Sequence, residues 1–146
     1  MVDVTPKSET LRIAVVRGHV NAKPETIRLI SERGVEKGDV LEVARLAGIM
    51  AAKRTGDLIP LCHPLALTSV KVDVTVNADK HRVEIEAEVQ TIGRTGVEME
   101  AMTAVTVAGL TVYDMCKAVD REMEISDIRL VKKMGGKSGA FVREEK

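Results

Sequence analysis

Asp114 and Lys117 stand one helical turn apart at the end of an otherwise apolar run. A carboxylate held beside an ammonium, partly out of water, can pass protons to and from a ligand. The same spacing also makes an ordinary surface ion pair, which contributes only about 0.2–0.5 kcal/mol. The greasy neighbourhood argues for the first reading. Glu98 and Glu100 open the same run. A helix start favours negative charge, so capping explains these two as well as function does. His63, between Cys62 and Pro64 in LIPLCHPL, is either a hydrogen-bonded rim residue or a group that a rigid backbone presents to a small ligand. No second histidine lies near it in sequence, which gives a metal site little support. Lys37, Lys53, Arg54, Lys117, Lys132, Lys133 and Lys137 are interspersed with Gly34, Gly38, Gly135, Gly136 and Gly139. Glycine lets a backbone approach an anion closely, and lysine is a mobile point charge suited to phosphate. GGKSG is not a P-loop: Val131 stands where that pattern needs its first glycine, and too few residues remain for the helix that must follow.

The element that positions these groups is the stretch from Gly96 to Val119, uncharged between Glu100 and Asp114. It is too long for one ordinary strand and too short for a bilayer, which needs about 20 apolar residues. It reads as a helix that is apolar on every face and must therefore be covered all round, by its own domain or by a second subunit. Glu100 and Asp114 then fall within roughly 40° of one face but about 21 Å apart along the axis. One small substrate cannot touch both in one chain. A two-fold axis pairing this helix with its antiparallel copy would set the Glu100 end of one beside the Asp114 end of the other, giving a site shared by two subunits.

The remaining pattern supplies a frame. Leu11 to Val20 reads as a strand; Pro24 opens a short helix that Gly34 stops; Asp39 and Glu42 make a capping box for a second helix carrying Val43, Leu46, Ala47 and Met50. The prolines of LIPLCHPL impose an irregular apolar segment. Val70–Val76 and Val83–Val89 alternate as a hairpin, and Ile125–Lys132 is a last strand before a flexible tail at about 135–146. In the order β-αα-β-β-α-β this predicts an α+β, ferredoxin-like sandwich: one domain over 1–146, an antiparallel four-stranded sheet and helices on one face. The 22 basic and 22 acidic residues cancel, and Tyr113 and Phe141 are the only aromatics, which argues against nucleic acid as a partner. Cys62 and Cys116 fit no zinc spacing, and the amino terminus has no apolar core of a signal peptide; no membrane partner and a reducing cytoplasm are expected.

LIPLCHPL, GVEMEAMTAV, LTVYDMCKAV and KKMGGKSG occur in this order, and together they resemble the MoaC family of cyclic pyranopterin monophosphate synthases over nearly the whole chain. The resemblance implies a lyase of molybdenum cofactor (molybdopterin) biosynthesis. Such an enzyme converts 3′,8-cyclo-7,8-dihydroguanosine 5′-triphosphate to cyclic pyranopterin monophosphate and releases pyrophosphate. It also implies a homohexamer, a trimer of dimers, with sites between subunits. Carried over by motif, Asp114 is the acid/base residue and Lys117 its catalytic neighbour. Leu61, Cys62, His63, Met99 and Glu100 line the substrate pocket, and Lys37 and Lys133 act on the phosphates or in ring opening. No cofactor is required, and Mg2+ is compatible with the triphosphate although no carboxylate pair in the sequence demands it. Gly109 stands where alanine is usual and Met134 where serine is common. The main rival is a small-molecule-sensing module, since a fold does not fix a function.

Overall fold

Period-two alternation builds most of the sheet, and helical periodicity the layer on top of it. The structure, a computed structural model, describes residues 1–145. In chain order it contains β1 (Thr10–Asn21), α1 (Pro24–Ser31), α2 (Val40–Lys53), the one-turn α3 (Thr55–Leu58), β2 (Ser69–Asn77), β3 (Arg82–Gly93), α4 (Glu98–Cys116), β4 (Glu124–Met134) and β5 (Phe141–Val142). The strands form one open antiparallel sheet in the order β2-β3-β1-β4-β5. The class is α+β, as the pattern predicts, but the described residues form five strands, not four. The fifth lies in the stretch read as a flexible tail. Phe141 and Val142 pair with Lys133 and Lys132, the Arg143 N–H donates to the Val131 carbonyl at 2.8 Å, and the Arg129 guanidinium grips Glu145. Two paired residues are too few to show a period, so the strand leaves no trace in the sequence.

Ala14, Val16 and Val20 of β1, Val72 of β2 and Val83, Ile85, Ala87 and Val89 of β3 point into one core under the helices. Burying each such valine contributes about 1.5–3 kcal/mol. The opposite sheet face is charged and carries pairs such as Arg17–Glu86 at 2.6 Å, each worth roughly 0.2–1 kcal/mol. α4 settles onto the sheet through Ala101, Ala104, Val105, Ala108 and Val112, all fully buried. Gly18 of β1 makes this possible, because a Cβ there would lie 2.9 Å from a methyl of Val105. β-branched residues cost α4 some helix propensity, and this packing overrides the cost.

α2 lies beside α4, and Asp39 caps it by accepting from the Glu42 N–H at 3.2 Å. Its apolar repeat marks the helix correctly yet lies on the outer face: Leu46 is 49% and Met50 56% exposed. The inner face is Val40, Ala44, Gly48, Ala51 and Ala52. Small residues face inward because the two helices nearly touch, and a Cβ on Gly48 would lie 3.0 Å from the Ala104 carbonyl oxygen. α4 is covered over most of its circumference, not all round. Thr106 and Leu110, the latter 56% exposed, form with Met99 an outer stripe that the single chain leaves open.

Candidate active site

The amino-terminal end of α4 gathers the first group of candidates. Val97 is the N-cap and offers no side-chain hydrogen bond, so acidic side chains in the first turn supply the favourable charge. Glu98 meets Lys133 of β4, with Oε1 3.3 Å from Nζ. Glu100 points inward, only 4% exposed, and burial pushes its carboxyl above the usual range. The Cys62 thiol is raised by burial and then by the nearby Glu100 charge. The segment carrying Cys62 is held in place at several points. Gly56 sits against Pro64, the Cys62 N–H donates to the Ile59 carbonyl, and the Thr91 hydroxyl donates to the Ala66 carbonyl at 2.6 Å. His63 Nε2 lies 2.8 Å from the Val2 carbonyl oxygen, so the imidazole is tied to the amino-terminal segment. Met99 and Leu61 are exposed at this end.

Beside Glu98 opens a cavity of about 470 Å³, lined among others by Lys7, Arg12, Lys133 and Lys137. Four cations around one space make a receptacle for an anion of high charge. Arg12 is buried and fixed, its Nε donating to the Gly93 carbonyl at 2.9 Å. Gly136, at φ 82°, bends the chain past the guanidinium, where a side chain would collide. Lys7 and Arg12 were not among the residues singled out from the sequence. Arg12 left a signal, since it shares the parity of Ala14, Val16 and Val20 and so places a charge on the apolar face of a strand. Lys7, in a polar lead, left none.

The carboxyl-terminal end of α4 holds the second group. Lys37 reaches from the loop between α1 and α2, which turns at Gly38 (φ 119°), and donates from Nζ to Asp114 Oδ2 at 2.9 Å and to the Asp114 carbonyl at 3.3 Å. Lys117 lies 3.0 Å from the other carboxylate oxygen. Hydrogen bonds from Lys37 and then Lys117 hold the Asp114 carboxyl below the usual range. A shallow depression of about 460 Å³ beside the pair is lined by Leu110, Thr111, Tyr113, Asp114 and Lys117.

The nine candidates therefore fall into two clusters, one at each end of α4. Lys37 and Lys133, grouped from the sequence by a shared phosphate role, sit at opposite ends of α4. Lys53 joins neither; it borders a groove with Ile49 and Leu65. Both cysteines are free thiols, and among the described residues no group of three or more His, Cys, Asp or Glu converges as a metal site. No helix among them is long and apolar enough to cross a membrane.

Residues 1–136 match the model of the MoaC family. The chain belongs to the MoaC family. Among its MoaC relatives, the cyclic pyranopterin monophosphate synthase of Roseiflexus castenholzii is 63% identical over 144 residues, covering 99% of this chain and 91% of that protein. The synthase of Thermomicrobium roseum is 63% identical over 145 residues, 99% of this chain and 87% of that one. The synthase of Rhodospirillum rubrum is 65% identical over 141 residues, 97% and 85% of the two chains.

Proposed function

We propose that the chain converts 3′,8-cyclo-7,8-dihydroguanosine 5′-triphosphate to cyclic pyranopterin monophosphate and pyrophosphate, a lyase step of molybdenum cofactor biosynthesis. Its membership of MoaC and its relatives' name support the reaction. The observation that carries the chemistry is the Asp114 carboxylate clamped between two ammonium groups at one end of α4, with a four-cation cavity at the other. The strand order β2-β3-β1-β4, with β1 and β2 parallel on either side of β3, supports a ferredoxin-like sandwich to which β5 is appended.

Closing a cyclic phosphate forms one P–O bond at the α-phosphorus and breaks another, and negative charge gathers on the departing pyrophosphate. Lys7, Arg12, Lys133 and Lys137 are placed to stabilise that charge. Rearranging a purine into a pterin needs proton transfers. Asp114, ionised and held by Lys37 and Lys117, is the base, while Glu100, whose burial favours the protonated form, is suited to donate. Cys62, His63, Leu61 and Met99 shape the wall beside Glu100. Any Mg2+ arrives on the triphosphate oxygens, since the cavity presents mainly cationic groups.

Because the clusters are about 21 Å apart along α4, the working site is completed by a second copy. The exposed apolar stripes of α2 (Val43, Leu46, Met50) and α4 (Met99, Leu110), on neighbouring helices, form the contact. An antiparallel pairing brings one copy's Asp114 to the other's Glu100. A trimer of such dimers, in the cytoplasm, is the proposed assembly. Asp114→Asn and Lys117→Ala are expected to keep fold and substrate binding while lowering turnover by at least about a hundredfold, followed by pyrophosphate release and product mass. Undiminished turnover in both would leave a binding module.

A further inference from the structure

Asp120 is 2% exposed, and three hydrogen bonds converge on its carboxylate. Oδ2 accepts from the Lys23 N–H and from the Thr26 hydroxyl, each at 2.9 Å, and Oδ1 accepts from the Glu122 N–H at 3.2 Å. Its own N–H donates to the Cys116 carbonyl at 3.0 Å, so the group is fixed to the last turn of α4. α1 begins at Pro24, and its N-cap, Lys23, provides no side-chain cap. A buried carboxylate remote in sequence therefore does the capping, on the positive end of the helix.

From that cap the chain runs in one direction. α1 drives Ile27 and Ile30 into the core, its end is tied by the Gly34 N–H to the Leu29 carbonyl at 2.9 Å, and the following loop delivers Lys37 to Asp114. The segment between Lys23 and Lys37 is a brace with both ends on α4 and the turn after it. Lys37 itself is half exposed, and among the described residues its side chain hydrogen-bonds to Asp114 alone. The brace anchors the loop on one side of Lys37, and the start of α2, with Val40 buried and Asp39 as its cap, anchors it on the other.

We propose that Asp120 is a positioning residue for the Lys37–Asp114 pair, holding through α1 the loop that carries the ammonium to the carboxylate. That this pair takes part in turnover rests on the function proposed above. The charged groups facing Asp114 are Lys37 and Lys117; the charged group around Asp120 is the Lys23 ammonium, itself paired with Glu122, and the uncharged Cys116 thiol nearby is pushed up to about 11 by burial and Asp120.

The test compares Asp120→Ala, Asp120→Asn and Thr26→Val in the full chain, reading the Asp114 carboxyl titration by NMR, the pH–rate profile, kcat and KM. Loosening Lys37 removes one of two ammonium groups from Asp114, so in Asp120→Ala its titration and the acid limb of kcat should move up. Turnover should fall by up to about a hundredfold, the scale of a small misplacement. Asp120→Asn keeps an acceptor oxygen and should restore most of both. Thr26→Val deletes one bond, conserves shape, and gives the same upward shift to a smaller degree if the alanine variant fails to fold. An unmoved Asp114 titration in Asp120→Ala, or in Thr26→Val where the alanine variant is unfolded, overturns the proposal. Lys37→Ala separates the two ideas: if it shifts the titration without slowing turnover, the catalytic reading fails while the positioning role stands.

Discussion

At one end of α4 a carboxylate is sealed from water, and at the other a carboxylate is exposed but held between two lysines. Burial raises the affinity of Glu100 for a proton, and paired ammonium groups lower that of Asp114. One helix thus holds the same functional group in two protonation tendencies, which is how a site obtains an acid and a base at one pH. The cause of each is different in kind. Glu100 owes its state to the depth of packing among Cys62 and the first turn of α4, whereas Asp114 owes its state to two side chains, one of them on a distant loop. The first should resist surface substitution, and the second should respond to any change that moves Lys37.

That contrast becomes a shared device only if two copies meet. Mixing the inactive variants Glu100→Gln and Asp114→Asn should regenerate activity from nothing. With random pairing, about a quarter of the sites regain both native groups. No recovery would mean that each end works within its own chain. Leu110→Glu, on the open stripe between the two ends, should dissociate the proposed dimer and lower turnover severely while leaving the monomer folded, checked by sedimentation and circular dichroism. A charge at Val105, fully buried against β1, would instead unfold the chain.

The smallest effect concerns stability. The folded pKa of Glu100 lies above its ordinary value of 4.5, so its contribution is fully present below that pH and is lost as pH rises through the folded value. Glu100→Gln should therefore raise Tm near neutral pH and change it little near pH 4. An equal shift at both would place the effect in packing rather than charge.

Much of the frame could be read from residue order. Asp39 with Glu42 marked the start of α2, and the alternating valines and glutamates of 70–76 and 83–89 marked a hairpin, because each signal needs only neighbours within one turn or one strand. The motifs around His63, Asp114 and Lys133 likewise carried the family. The outward direction of Val43, Leu46 and Met50 was hidden, since periodicity marks a stripe but not what it faces. β5 was too short to show a period, and Lys7 lay in a polar lead without pattern.

The sequence by itself determined the class of fold, the long helix and the acidic and basic groups at its ends, because those follow from local spacing and side-chain chemistry. Only the tertiary structure decided that Lys37 belongs to Asp114 and Lys133 to Glu98, that Arg12 lines the cation-rich cavity, and that Asp120 caps α1. Those pairings join residues from 35 to 97 positions apart, and a hydrogen bond of 2.9 Å across such a gap exists only after the core has brought its two ends together.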